Sequence, residues 1–172
     1  LNVHYYSPEP KEDSETREKQ REETRDVLKN IYDGEHKTFW SNCGVIYAGD
    51  FNVAHKTNGV ITPEYQKLVR SVTPEYPMRN LRDECDQDPD TDTFNLLNTY
   101  IPEKIWNECS SLDYIFTLDY FPTSKDPVKT MRLEATQVEV LQQSPYKECS
   151  DHYPITAIIQ PMVETEFIKP SV

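Results

Sequence analysis

Three short segments, in fixed order, hold residue types that can work together on a phosphodiester. They are Gly49-Asp50-Phe51-Asn52, Leu112-Asp113-Tyr114-Ile115-Phe116 and Ser150-Asp151-His152-Tyr153-Pro154. Each ends or interrupts an apolar, strand-like run with a carboxylate, an amide or an imidazole. Asp50 beside the amide of Asn52 could orient a water and bind a phosphoryl oxygen. Asp113 sits inside an apolar run, where a carboxylate is costly to bury unless it is paired or hydrogen-bonded. A carboxylate partner would fix the tautomer of His152 and raise its pKa, making it a working base, and would leave Asp151 for a metal. Base, orienting acid, metal ligand and transition-state donor make up the inventory of metal-assisted phosphodiester hydrolysis.

Each segment also has a plainer reading. Gly-Asp-x-Asn after a strand is a common satisfied turn, because Asp and Asn both bond local backbone. Asp113 fits a solvent-facing edge position, and Ser150-Asp151 fits a loop cap with an incidental histidine. His4 ends the strand-like Leu1-Asn2-Val3-His4, where a lone histidine is structural by default. His36 and His55 fall in polar loops and receive no role. The acidic run from Asp83 to Asp92 invites a calcium loop, which needs Gly at its sixth position and Glu at its twelfth. Counting from Asp86 gives Thr91 and Leu97, and counting from Asp88 gives Thr93 and Thr99, so the run reads as a solvated loop. Cys43, Cys85, Cys109 and Cys149 have no C-x-x-C spacing, which disfavours zinc; one or two disulfides and four free thiols both fit.

The elements that must position these groups follow from periodicity. Leu1–Tyr6 reads as a strand that Pro8 and Pro10 break. A charged helix is expected from about Ser14 to Tyr32, with Ser14 as its cap and Gly34 as its stop. Its apolar residues cluster late, at Val27, Leu28 and Ile31, so most of it should be solvated. Gly44–Ala48 is a buried-type strand delivering Asp50 at its C-terminal end. Thr62-Pro63-Glu64 starts a helix with Tyr65, Leu68, Val69 and Val72 on one face. Residues 73–111 read as loop-rich. Strands are expected at Leu112–Leu118, Val128–Leu133, Thr136–Leu141 and Ile155–Ile159, the last closing the sheet, with a peripheral tail beyond. The division is one domain over residues 1–160 and a tail over 161–172.

The 172 residues carry 30 acidic and 18 basic side chains, a formal net charge of −12. That field opposes nonspecific attraction to nucleic acid, although a bound divalent cation reverses the local sign. No run approaches the roughly 18 apolar residues of a membrane span. The aromatic pairs Tyr5-Tyr6, Phe39-Trp40 and Tyr120-Phe121 fit core packing, or else an exposed contact with a lipid interface.

Read in order, His4, Gly49-Asp50-Phe51-Asn52, Leu112–Phe116 and Ser150-Asp151-His152 resemble the later motifs of the endonuclease/exonuclease/phosphatase superfamily. This is the DNase I-like fold shared by pancreatic deoxyribonuclease, apurinic endonucleases and neutral sphingomyelinases. The likeness is closest to neutral sphingomyelinase, through Arg17 and Gln20 on the first helix, Glu64-Tyr65-Gln66 and Asp92-Thr93-Phe94-Asn95. It implies an α/β (α+β) chain forming the C-terminal part of a two-sheet α/β sandwich. It also implies His152 as general base oriented by Asp113, Asp50 and Asn52 positioning water and phosphoryl oxygens, and His4 stabilising phosphoryl charge or assisting the leaving group. Asp151 would contact a metal, Mg²⁺ in the usual case, acting as a Lewis acid. The substrate implied is the phospholipid head group of sphingomyelin at a membrane surface, met peripherally, with secretion mildly preferred and nucleic acid disfavoured. Family members carry an N-terminal half with a strand Asn and the principal metal-binding Glu, and this chain begins after both. It is therefore expected to be incomplete and inactive alone. A nuclease of the same fold and a catalytically dead domain that binds membrane or protein remain the alternatives.

Overall fold

The computed structural model describes residues 2–4, 13–33, 44–71, 78–85, 92–94, 110–118, 128–148 and 150–166. Strand β1 (Asn2–His4) runs parallel to β2 (Val45–Asp50), which pairs antiparallel with β6 (Asp113–Leu118). β5 (Met78–Asn80) completes a four-stranded sheet in the order β1-β2-β6-β5.

Alternation along β2 and β6 decides which face is buried under helices. Val45 and Tyr47 on β2 stand opposite Leu118 and Phe116 on β6, and all four are buried. With Tyr114 and Met78 they form an apolar face, covered by Phe51 and Val53, by Leu28 of helix α1 (Asp13–Asp33), and by Tyr65 and Leu68 of helix α2 (Pro63–Ser71). Phe51 meets Tyr47 and Phe116 edge-on, at centroid separations of 4.9 Å and 5.3 Å. Each such buried ring contributes about 1.5–3 kcal/mol relative to exposure. Most of helix α1 is exposed, as expected, Val27 included, and its buried stripe is partly polar. Arg21 and Thr24 are buried with Leu28, Thr24 receives the Tyr47 hydroxyl at 3.2 Å, and Arg21 pairs with Glu18 at 2.5 Å. Helix α2 starts as expected, with Thr62 Oγ1 accepting from the backbone N–H of Tyr65 at 3.1 Å.

The other face of the sheet meets a long antiparallel ribbon, β7 (Val128–Val140) with β8 (Ile155–Glu166). Arg79 on β5 donates to the Leu133 carbonyl at 2.7 Å, and a Cβ at Gly44 would lie 2.5 Å from the Leu133 side chain. Helices, four-stranded sheet and ribbon stack in that order.

Several expected boundaries change. The two strands predicted over 128–141 are one strand, with a register irregularity between Ala135 and Gln137. The extra residue is Thr136, a bulge that shifts the register without ending the strand. The final strand lies in the ribbon and does not close the four-stranded sheet. It runs to Glu166, and residues 161–166 of the predicted tail pair with 128–133. Pro161 is tolerated there because β8 has a single partner strand. Within the span read as loop lie β5 and a helical turn, α3 (Leu81–Glu84), too short for periodicity to reveal, with Asn80 as N-cap. A hairpin of β3 (Lys56–Thr57) and β4 (Val60–Ile61) turns at Asn58-Gly59, both at positive φ, 52° and 76°. Tyr5-Tyr6, Phe39-Trp40, Tyr120-Phe121, His36, Gly34, Asp86 to Thr91, Cys43, Cys109 and Cys149 lie outside the described residues. Among those described, no helix is long and apolar enough to cross a membrane.

Candidate active site

Register alone gathers three of the predicted site residues. His4 of β1 stands opposite Asp50 of β2, and Asp50 stands opposite Asp113 of β6. The three form one row at the end of the sheet. Asp50 and Asp113 have the strand parity of Ile46 and Ile115, so they belong to the face that meets the ribbon. The loop joining β7 to β8 brings His152 to the same end.

Asp50 is held by its own turn. The backbone N–H of Asn52 donates to Asp50 Oδ1 at 2.8 Å, and the Asn52 side-chain amide donates to Oδ2 at 3.0 Å. Asn52 takes φ 49°, a left-handed conformation that Asn tolerates better than most residues. From α1, Arg17 donates to the Asn52 carbonyl at 2.6 Å and pairs with Glu64 at 3.3 Å. In this arrangement the Asn52 amide fixes Asp50.

Asp113 and His152 are joined across 39 residues of chain: His152 Nδ1 lies 2.8 Å from Asp113 Oδ2. With the carboxylate accepting, Nδ1 carries the proton and Nε2 keeps a lone pair, the tautomer required of a base. Burial of the ring works against its charged form. The hydrogen bond and charge of Asp113, followed by the charges of Asp50 and Asp151, outweigh burial, and the imidazole titrates above its usual 6.5. The ring of Phe94 lies 5.2 Å from the imidazole.

Asp151 stands apart from this group. It is exposed, and its Oδ1 accepts from Ser150 Oγ at 3.2 Å. His55 is buried rather than looped into solvent, with its ring 4.3 Å from that of Tyr65. Of the acidic run, Asp83 receives the Tyr65 hydroxyl at 3.4 Å, and Glu84 pairs with Arg79 and Arg132. Cys85 donates its thiol to the Ala135 carbonyl at 3.4 Å. Thr93 and Phe94 border the site although their residue types suggest no chemistry; their one signal in the sequence is the Asp92–Asn95 segment of the family likeness.

No protein-family model matches the sequence, and no curated protein matches it. Among solved structures, the chain is similar to an endonuclease/exonuclease/phosphatase family protein from Bacteroides thetaiotaomicron, at 16% identity and a TM-score of 0.53 over 92% of this chain. The chain has the endonuclease/exonuclease/phosphatase fold. It spans about half of that neighbour, 47% of its length. A functionally unknown conserved protein from Enterococcus faecalis V583 is also similar, at 16% identity and a TM-score of 0.49, with 94% of this chain and 49% of that one covered.

In this endonuclease/exonuclease/phosphatase fold the site occupies the end of the sandwich where sheet and ribbon meet. One donor atom each from Asp50, Asp113 and His152 lie within 4.8 Å of one another. The two carboxylates suit a hard divalent cation, which takes oxygen ligands. The imidazole suits such an ion less well, because its remaining donor, Nε2, is a nitrogen. The trio is a hydrogen-bonded imidazole–carboxylate pair beside a second carboxylate.

Proposed function

We propose that the chain carries the base-bearing half of a metal-dependent phosphodiester hydrolase acting on a phospholipid head group, with sphingomyelin as the expected substrate. The observation that carries this reading is the His152 Nδ1–Asp113 Oδ2 contact of 2.8 Å, beside Asp50 at one end of the sheet. His152 takes a proton from the attacking water at Nε2 while Asp113 holds the ring and stabilises the imidazolium. Asp50, fixed by Asn52, orients the water, and His4, in the same row, neutralises phosphoryl charge. Asp50 would contribute to holding Mg²⁺, which would supply Lewis-acid polarisation of the phosphoryl oxygen; Asp151, exposed and outside the Asp50–Asp113–His152 group, would have to turn toward the ion to join it. The chain spans 47% of its structural neighbour, and with so few carboxylates gathered among the described residues it is expected not to turn over by itself. Lipid is favoured over nucleic acid by the net charge of −12 and by the hairpin residues Val60 and Ile61, which stand exposed beside a groove lined by Lys56, Asp92 and Ser111.

The test combines binding and turnover. In the presence of Mg²⁺, phosphocholine should shift the amide resonances of Asn52, Asp113 and His152, and a dinucleotide should do so more weakly. A folded chain that responds to neither ligand contradicts the phosphodiesterase reading, and a stronger response to the dinucleotide favours a nuclease. Sphingomyelin vesicles with Mg²⁺ should give no turnover; rates of roughly 1 s⁻¹ or more, typical of enzymes, would overturn that expectation.

A further inference from the structure

We propose that Thr93 is the positioning residue that sets the geometry of the Asp113–His152 pair, an inference that takes its catalytic meaning from the phosphodiesterase reading. Thr93 is fully buried, and it is bonded on both sides of the pair. Its Oγ1 accepts from the backbone N–H of Leu112 at 3.0 Å and from that of Asp113 at 3.2 Å. Its carbonyl accepts from the N–H of Tyr153, the residue after His152, at 2.7 Å. One residue therefore ties the chain that presents the acid to the loop that presents the base.

The neighbours of Thr93 keep it from yielding. Phe94 and Ser110 exchange two backbone hydrogen bonds, at 3.0 Å and 2.9 Å, which fasten the segment to the chain entering β6. Gln142 donates to the Asp92 carbonyl at 3.0 Å, which fastens the segment to the end of β7. Phe94 then places its ring against the imidazole. A base must be held within about 0.5 Å of its productive position, and a misplacement of about 1 Å can cost on the order of 100-fold in rate. Asp113 begins its strand and His152 lies in a loop, so neither has regular pairing on both sides to supply that precision. Thr93 supplies it from one point. Valine is nearly isosteric but cannot accept the two N–H groups, whereas serine keeps the oxygen and loses only the methyl group.

The test uses the 172-residue chain and no substrate. The His152 Nδ1–H should give a low-field proton resonance that disappears in Asp113→Asn. Thr93→Ser should retain it at the wild-type position. Thr93→Val should lose it or broaden it by faster exchange while far-UV circular dichroism shows the fold intact. A folded Thr93→Val chain with the wild-type signal and exchange rate overturns the proposal. If that variant does not fold, hydrogen exchange of the wild-type chain decides: the amides of Leu112, Asp113 and Tyr153 should open together, and independent opening overturns the proposal. Failure of the phosphodiesterase reading would leave these signals unchanged, so the two failures are distinguishable.

Discussion

The two carboxylates of the site are held in opposite ways. Asp50 is fixed within its own turn by Asn52, two residues on, through a backbone and a side-chain hydrogen bond. Asp113 is fixed by groups far along the chain: His152 at its carboxylate, and Thr93 at its backbone N–H. A local pair forms wherever its turn forms. The distant pair exists only when β6, the 92–94 segment and the β7–β8 loop are docked together. Half of the site is thus built into a tetrapeptide, and half is a property of the assembled sandwich.

That contrast can be broken from either side. The largest effect is expected at the distant pair. In a preparation that hydrolyses a phosphodiester, His152→Ala should lower kcat by about 10²–10⁴-fold, the usual contribution of a general base, with KM nearly unchanged. A loss confined to KM would assign His152 to binding.

Next comes the link between turn and core. Phe51, the variable residue of Gly-Asp-x-Asn, is fully buried against Tyr47, Tyr114 and Phe116. Phe51→Ala should destabilise the chain by about 3–5 kcal/mol in urea unfolding. A cost below about 1 kcal/mol would mean that the turn is not anchored by the core.

A smaller effect isolates the turn itself. Asn52→Gly keeps access to φ 49° and loses the side-chain bond, whereas Asn52→Ala loses both. Unfolding midpoints should place Ala below Gly by about 1–2 kcal/mol, the cost of a left-handed conformation for a residue with a Cβ. Equal values would remove the conformational part of the account.

The smallest effect is a pH dependence. His152 titrates above 6.5 in the folded chain because Asp113, Asp50 and Asp151 favour its charge more than burial opposes it. Its contribution to stability is therefore fully present below about pH 6.5 and is lost as pH rises through the folded pKa. The difference in melting temperature between the wild-type chain and Asp113→Asn should be larger at pH 5.5 than at pH 8.5. A difference that grows with pH would reverse the sign.

The same division governs what could be read from the sequence. The Gly49–Asn52 turn, the buried run ending at Asp50 and the Thr62-Pro63 helix start are local, and alternation, turn chemistry and capping reveal them. That Asp113 and His152 meet could not be read from either segment, each of which has a satisfactory plain interpretation; the family likeness joined them. The row through His4, Asp50 and Asp113 is a matter of register, which apolar alternation constrains but does not specify without a partner strand. Thr93 was legible only as part of a likeness, because a buried threonine accepting two backbone N–H groups has no periodicity. The β7–β8 ribbon was shortened for a similar reason: the bulge at Thr136 and the proline at 161 both look like strand ends.

A pH titration of the His152 ring resonances, in the wild-type chain and in Asp113→Asn, tests the central claim that a distant carboxylate makes this histidine a base. The account predicts a wild-type pKa above 6.5 that falls in the variant. A wild-type value at or below 6.5, or one that does not respond to the substitution, would contradict it.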